Sequence, residues 1–164
     1  MTRGWDRRAV DALVERGLAL GPDAPGFDAY RGDVVMEGHP DALARPHGEA
    51  EVAEILAHAH AEGLPVTFAG GRTSLTGASA AEEGLVVALE NMDRILDLGR
   101  DPETGGMVAV AEPGIYLGAF QRALEAEGWL YPPDPTSRDE AQLGATVATN
   151  ATGEDTLLYG PTRR

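Results

Sequence analysis

Val52, Ile55, Leu56 and Ala59 recur at helical spacing, and Gly63 then leads directly into the apolar run Leu64-Pro65-Val66-Thr67-Phe68. A helix that feeds a buried strand with no linker restricts the chain to folds in which helices cover a sheet. The strand leaves through Ala69-Gly70-Gly71-Arg72-Thr73-Ser74-Leu75-Thr76-Gly77. Glycines permit close approach of the backbone, and the hydroxyls of Thr73, Ser74 and Thr76 are donors suited to phosphate oxygens. Arg72 adds charge. On this loop alone, an anion cradle and a plain flexible turn are equally well supported. The glycines at 70, 71 and 77 do not fit the G-x-G-x-x-G dinucleotide fingerprint.

The pattern extends on both sides. Val10, Leu13 and Val14 mark a first helix stopped by Gly17, and the turn-rich link Gly21-Pro22-Asp23-Ala24-Pro25-Gly26 follows. Residues 1–33 read as an N-terminal helical arm or cap outside the main core. Val34-Val35-Met36 is a short strand candidate. Glu49 and Glu51 open the helix before Gly63, where negative charge suits the helix dipole. Leu85–Leu89 reads as a buried strand and Ile95–Leu98 as another. Asp101–Gly106 is a hairpin-type turn into the strand Met107–Glu112, closed by Pro113-Gly114. Leu117, Phe120 and Leu124 give a second amphipathic helix, ended at Gly128. Prolines 132, 133 and 135 force Tyr131–Ser137 to be extended. Gln142–Asn150 is a short helix packed close to other backbone. These elements predict an α+β fold with α/β character, in two lobes divided near residues 90–115.

Composition narrows the chemistry. The 164 residues suffice for one domain or two small lobes. The net charge of −14 argues against nucleic acid and anionic membranes as partners, but not against a small anion held by backbone N–H groups. No Cys is present, which excludes disulfides, thiolate metal sites and a cysteinyl cofactor link. No Lys is present either, which excludes a Walker-type P-loop and a Schiff base. No signal peptide and no membrane span is expected, and the chain reads as soluble and cytoplasmic. His58 and His60 fall on opposite sides of their helix and share no metal; His39 and His47 lack a ligand set. Ser74, Ser79 and Ser137 lack the G-x-S-x-G elbow. No metal site is expected. Glu82-Glu83 and Glu154-Asp155 read as solvated turns, and Trp5 and Trp129 as packing residues.

Two further segments carry a signal. Pro132-Pro133-Asp134-Pro135-Thr136-Ser137 presents a Thr-Ser pair at the end of a stiff run, which lowers the ordering cost of offering those hydroxyls to a ligand; its bland reading is a rigid linker. Leu143-Gly144-Ala145-Thr146-Val147-Ala148-Thr149-Asn150-Ala151-Thr152-Gly153 sets small residues at a helix start, leaving N–H groups accessible. Tight packing through small residues is the alternative, and the two are compatible.

The conjunction of Pro46, Glu51-Val52, Leu64-Pro65-Val66, AGGRTSLTG, PPDPTS, LGATVATNATG and Tyr159-Gly160-Pro161-Thr162-Arg163 resembles the FAD-binding domain of the vanillyl-alcohol oxidase superfamily. Within it, the chain is most similar to D-2-hydroxyacid dehydrogenases of the glycolate oxidase and D-lactate dehydrogenase type. The resemblance runs from about Val34 to the last residue. It implies a two-lobed, PCMH-type FAD-binding fold over residues 34–164, C-terminally incomplete, with a first lobe over about 34–100 and the start of a second over about 101–164. It implies that Gly70, Gly71, Arg72, Thr73, Ser74 and Gly77 surround the FAD pyrophosphate. Pro133, Asp134, Thr136 and Ser137 would line the flavin-side cleft. Gly144, Ala145, Thr146, Asn150 and Gly153 would contact the cofactor from the second lobe.

Three departures from the family pattern matter. Some relatives link flavin to a His beside the paired glycines; that place is Arg72 here, so non-covalent FAD is expected. Gly144-Ala145 stands where Gly-Gly is common, adding a methyl. The family continues beyond the position of Arg164 into further strands and a substrate domain, so the catalytic residues are unknown.

The functional expectation is the FAD-binding portion of an oxidoreductase that takes a hydride from a D-2-hydroxy acid such as lactate or glycolate. Expected partners are that substrate in the full enzyme and a missing C-terminal domain, a partner subunit or a second copy, with any membrane association only peripheral and through a partner. The alternative is a non-catalytic remnant or complex subunit acting as a flavin-binding or interaction module. A cell-wall sugar reductase of the same superfamily fits PPDPTS less well.

Overall fold

Leu85–Ala88 is buried along its whole length and forms the centre of a three-stranded parallel sheet. The computed structural model describes residues 4–163. It divides into two units, one running to Asn91 and the other starting at Met92.

In the first unit, helix α1 (Arg8–Glu15) precedes strand β1 (Ala42–Ala44), helix α2 (Glu49–Ala61), strand β2 (Val66–Ala69) and strand β3 (Leu85–Ala88). The strand order is β1-β3-β2, with Leu85 opposite both Ala42 and Val66. Alternation along the strands sends their side chains into two separate cores. Ala42, Ala44, Leu85 and Val87 join Val10, Leu13, Ile55 and Ala59 from the two helices. Leu43, Ala69, Val86 and Ala88 join Phe27, Tyr30 and Ala81 on the other face. Ile55 and Ala59 are one helical turn apart, which is why that stripe faces the sheet. The His58 ring bonds the Ala9 carbonyl at 2.8 Å and ties α2 to α1.

Two sequence expectations change here. The first 33 residues were expected to stand outside the core, yet Trp5, Leu13, Phe27 and Tyr30 are all buried in it. A short parallel sheet needs cover on both faces, and Phe27–Tyr30, a 3-10 turn, supplies the second cover. Val34–Met36 is not a strand. The Asp33 carboxylate accepts the N–H groups of Val35 and Met36, each at 3.0 Å, and curls the segment into a turn whose Val34 is 67% exposed. The edge strand β1 was not foreseen, because Ala-Leu-Ala is too short to display a period.

In the second unit, strands β4 (Ile95–Arg100) and β5 (Met107–Ala111) pair antiparallel around a turn capped by Asp101. A register shift between Ile95 and Asp97 brings Ile95 and Leu98 to one face, which strict alternation forbids. That face packs on Ile115, Phe120 and Leu124. Phe120 and Leu124 belong to helix α3 (Leu117–Ala126). Tyr131 meets Phe120 edge to face, 5.3 Å between centroids. Helix α4 (Leu143–Thr149) and the short helix α5 (Thr156–Tyr159) complete the unit; α5 was not anticipated.

Candidate cofactor site

The glycine loop starts where β2 ends at buried Ala69. Its third residue, Arg72, has φ 58°, in the left-handed region. An L-residue with a Cβ loses about 1–2 kcal/mol there. The Arg72 guanidinium lies over the Tyr30 ring, 4.2 Å from its centroid. A partly desolvated contact of this kind contributes about 1–2 kcal/mol, enough to offset the backbone cost.

Tyr30 is itself held. Its hydroxyl donates to the Glu90 carboxylate. Glu90 also pairs with Arg45 at 3.0 Å, and the Arg45 guanidinium lies 5.4 Å from the same ring. Burial, followed by Glu90, raises the Tyr30 pKa above the ordinary phenol value, with Arg72 pulling the other way; the hydroxyl therefore stays protonated and keeps donating. Glu90 compensates Arg45. Among the described residues, Arg72 has no carboxylate partner, in a chain of net charge −14.

The rest of the loop is shaped by its own hydroxyls and by the turn before β1. Ser74 Oγ and Thr76 Oγ1 share a hydrogen bond of 2.8 Å, and Ser74 Oγ accepts the Thr76 N–H at 3.3 Å. Gly77 has φ 73°, and a Cβ there would overlap the Met36 side chain. Ser79 donates to Asp33 at 3.2 Å. Tyr30, Asp33 and Met36 thus brace the loop, and all three lie before it in sequence. Spacing gave no sign of them; the only local signal was an aromatic and an aspartate flanking the turn Arg31-Gly32.

In the second unit, Gln121 donates its side-chain N–H groups to the carbonyls of Tyr131 (3.0 Å) and buried Pro133 (2.9 Å). This pins the proline-stiffened run. Asp134 pairs with Arg138 at 3.4 Å, while Thr136 is exposed and Ser137 half-buried. Gly153 lies against the main chain of Asp134, and a Cβ would overlap that carbonyl oxygen. The structure therefore joins Gly153 to the 132–137 segment, a link the sequence did not reveal.

The α4 start corrects one expectation. The Gly144 N–H is not accessible: it donates to the Pro113 carbonyl at 2.8 Å, and a Cβ on Gly144 would sit 2.5 Å from Pro113 Cβ. Close packing is what this glycine does. The Ala145 N–H has no partner among the described residues. Thr146 is buried and donates its hydroxyl back to Leu143 at 2.8 Å. Asn150 ends α4 at φ 51°, and its side-chain carbonyl accepts the Arg163 N–H at 2.9 Å.

Among the described residues, a cation without a carboxylate partner, small side chains and the unpaired backbone N–H groups of Gly70–Thr73 fit a phosphate-bearing cofactor. A family model described as FAD binding domain matches residues 40–164. The chain belongs to that family of FAD-binding domains, and its fold is the PCMH-type FAD-binding fold. It is 34% identical over 157 residues to D-2-hydroxyglutarate dehydrogenase of Stutzerimonas stutzeri strain A1501, covering 94% of this chain and 33% of that protein. It is 32% identical over 136 residues to glycolate oxidase subunit GlcD of Bacillus subtilis strain 168, covering 82% of this chain and 28% of that protein. The chain thus spans about a third of the length of the curated relatives it matches. An alkyldihydroxyacetonephosphate synthase structure superposes with a TM-score of 0.77 at 19% identity, over 98% of this chain and 35% of that one; that likeness is one of fold. Among the described residues, no helix is long and apolar enough to cross a membrane.

Proposed function

We propose that this chain is the FAD-binding portion of an oxidoreductase that oxidises a D-2-hydroxy acid of the D-2-hydroxyglutarate, glycolate or D-lactate class. The observation that carries the reading is Arg72, a cation without a carboxylate partner among the described residues, on a Gly-rich loop leaving a parallel sheet. Two relatives whose names denote enzymes of 2-hydroxy acids support the substrate class.

In this reading, Gly70, Gly71, Arg72, Thr73, Ser74 and Gly77 hold the pyrophosphate. Arg72 supplies charge, and the remaining groups supply donors at short range. Pro133, Asp134, Thr136 and Ser137 serve the flavin ring system, on a segment stiffened by its prolines and by Gln121. Asn150, Gly153 and Ala145 add contacts; Gly144 and Thr146 act by fixing α4. Bound FAD would give the whole enzyme a two-electron acceptor for the hydride on the substrate α-carbon. Attachment is non-covalent in this reading, since no Cys is present and the residue after the paired glycines is Arg72 rather than a His.

Titration of the purified chain with FAD, followed by flavin fluorescence, tests the binding step. Saturable binding with flavin released on acid precipitation is expected; no binding at hundred-micromolar FAD would overturn the reading. Oxidation of D-2-hydroxy acids with a dye acceptor is expected from the full-length gene product and not from this chain.

A further inference from the structure

We propose that Tyr30, ahead of the segment matched by the family model, is a positioning residue that holds Arg72 as an uncompensated cation for the cofactor pyrophosphate. The inference rests on the assignment of the 70–77 loop to FAD.

Three observations converge on it. Arg72 sits in a left-handed conformation that the loop must maintain, and its guanidinium is packed on the Tyr30 ring rather than on a carboxylate. Tyr30 is 3% exposed and is anchored through its hydroxyl to Glu90. Glu90 is already paired with Arg45 at 3.0 Å. One carboxylate therefore serves one arginine and one phenol, and among the described residues no carboxylate pairs with Arg72. An aromatic ring can fix a guanidinium in place without neutralising it, whereas a carboxylate would cancel the field an anion needs. Arg72 also donates to the Tyr30 hydroxyl, and the fork of five N–H donors leaves the others for phosphate oxygens.

A double-mutant cycle tests the claim. FAD and riboflavin affinities are measured for the wild-type chain, Tyr30→Leu, Tyr30→Phe, Arg72→Met and Tyr30→Leu/Arg72→Met, with far-UV circular dichroism as the check of folding. Tyr30→Leu is expected to weaken FAD about tenfold or more and to leave riboflavin, which lacks phosphate, unchanged. Tyr30→Phe keeps the ring and retains most of the affinity. Tyr30→Leu added to Arg72→Met has no further effect. Additive losses, an equal loss for riboflavin, or wild-type FAD affinity in Tyr30→Leu would each overturn the proposal.

A readout on the cofactor-free chain separates this proposal from the reading it rests on. The Arg72 Nε–H resonance should carry a ring-current shift that Tyr30→Leu abolishes and Tyr30→Phe retains. If the shift is present but wild type binds no FAD, the loop assignment and the role given to the cation fall together, while the Tyr30–Arg72 contact stands. If the shift is absent, the positioning claim falls whatever the chain binds. Should Tyr30→Leu not fold, Tyr30→Phe and Arg72→Met still decide: a large FAD loss in Tyr30→Phe with the shift intact would overturn the role of the ring.

Discussion

Gly153 lies so close to Asp134 that no side chain fits between them: a Cβ on Gly153 would overlap the Asp134 carbonyl oxygen and come within 2.6 Å of Pro135 N. Gly153→Ala must push the 134–135 backbone away, at an expected cost of about 1–3 kcal/mol by chemical denaturation. Gly48→Ala is the control. Nothing lies within 4 Å of its Cβ position, and its backbone is extended, so it should stay within about 0.5 kcal/mol of wild type. Equal effects from the two substitutions would show that the close approach carries no energy.

Arg72→Gly separates stability from binding. It relieves the left-handed strain and loses the stack on Tyr30, two effects of about 1–2 kcal/mol and opposite sign. The thermal midpoint should therefore move little, while FAD affinity falls about tenfold or more. A large stability loss with unchanged FAD affinity would reverse the assignment.

Glu112 predicts an acid transition in the second unit. Its carboxylate is buried and accepts the Arg94 guanidinium at 2.7 and 3.0 Å and the Arg94 N–H at 2.9 Å. Those bonds lower its pKa from the ordinary 4.5 to about 2. A pKa depressed in the folded state contributes stability that is full above about pH 4.5 and is lost as pH falls toward 2. Glu112→Gln should flatten that part of the stability–pH curve. A curve as steep as wild type below pH 4.5 would contradict the pairing.

Gln121→Leu tests the clamp on the proline run. It strips the donors from the Tyr131 and Pro133 carbonyls, the second of them in a buried bond, for an expected loss of about 1–3 kcal/mol. Gln121→Glu should be at least as harmful, because it turns a carboxylate toward two carbonyl oxygens. Wild-type stability in both variants would mean that the prolines alone hold the segment.

The sequence made the elements with a strong period legible. Ile55 and Ala59, Leu85–Ala88, and Phe120 with Leu124 lie where their spacing places them. Val52 and Leu56 are less buried than that stripe suggested, because only the Ile55–Ala59 edge of α2 faces the sheet. The loop 70–77 was legible from its residue types. Its supports were not: Tyr30, Asp33 and Met36 reach it from a segment whose local pattern reads as strand or linker. Asp33 overrode the β propensity of Val34-Val35 by capping a turn. At Gly144 the small residue signified contact with Pro113 rather than an open N–H, a distinction that only tertiary neighbours can make.

The central position of β3 has a consequence for biogenesis. Strands β1 and β2 both pair with β3 and not with each other. As the polypeptide emerges from the ribosome, the two outer strands are made first: β1 has only the single antiparallel bridge between Leu43 and Leu20, and neither has its neighbour in the sheet until residues 85–88 appear. A nascent chain halted between Gly77 and Leu85 would carry the whole 70–77 loop with no sheet to hang it on, so the loop can gain its shape only as the central strand slots in.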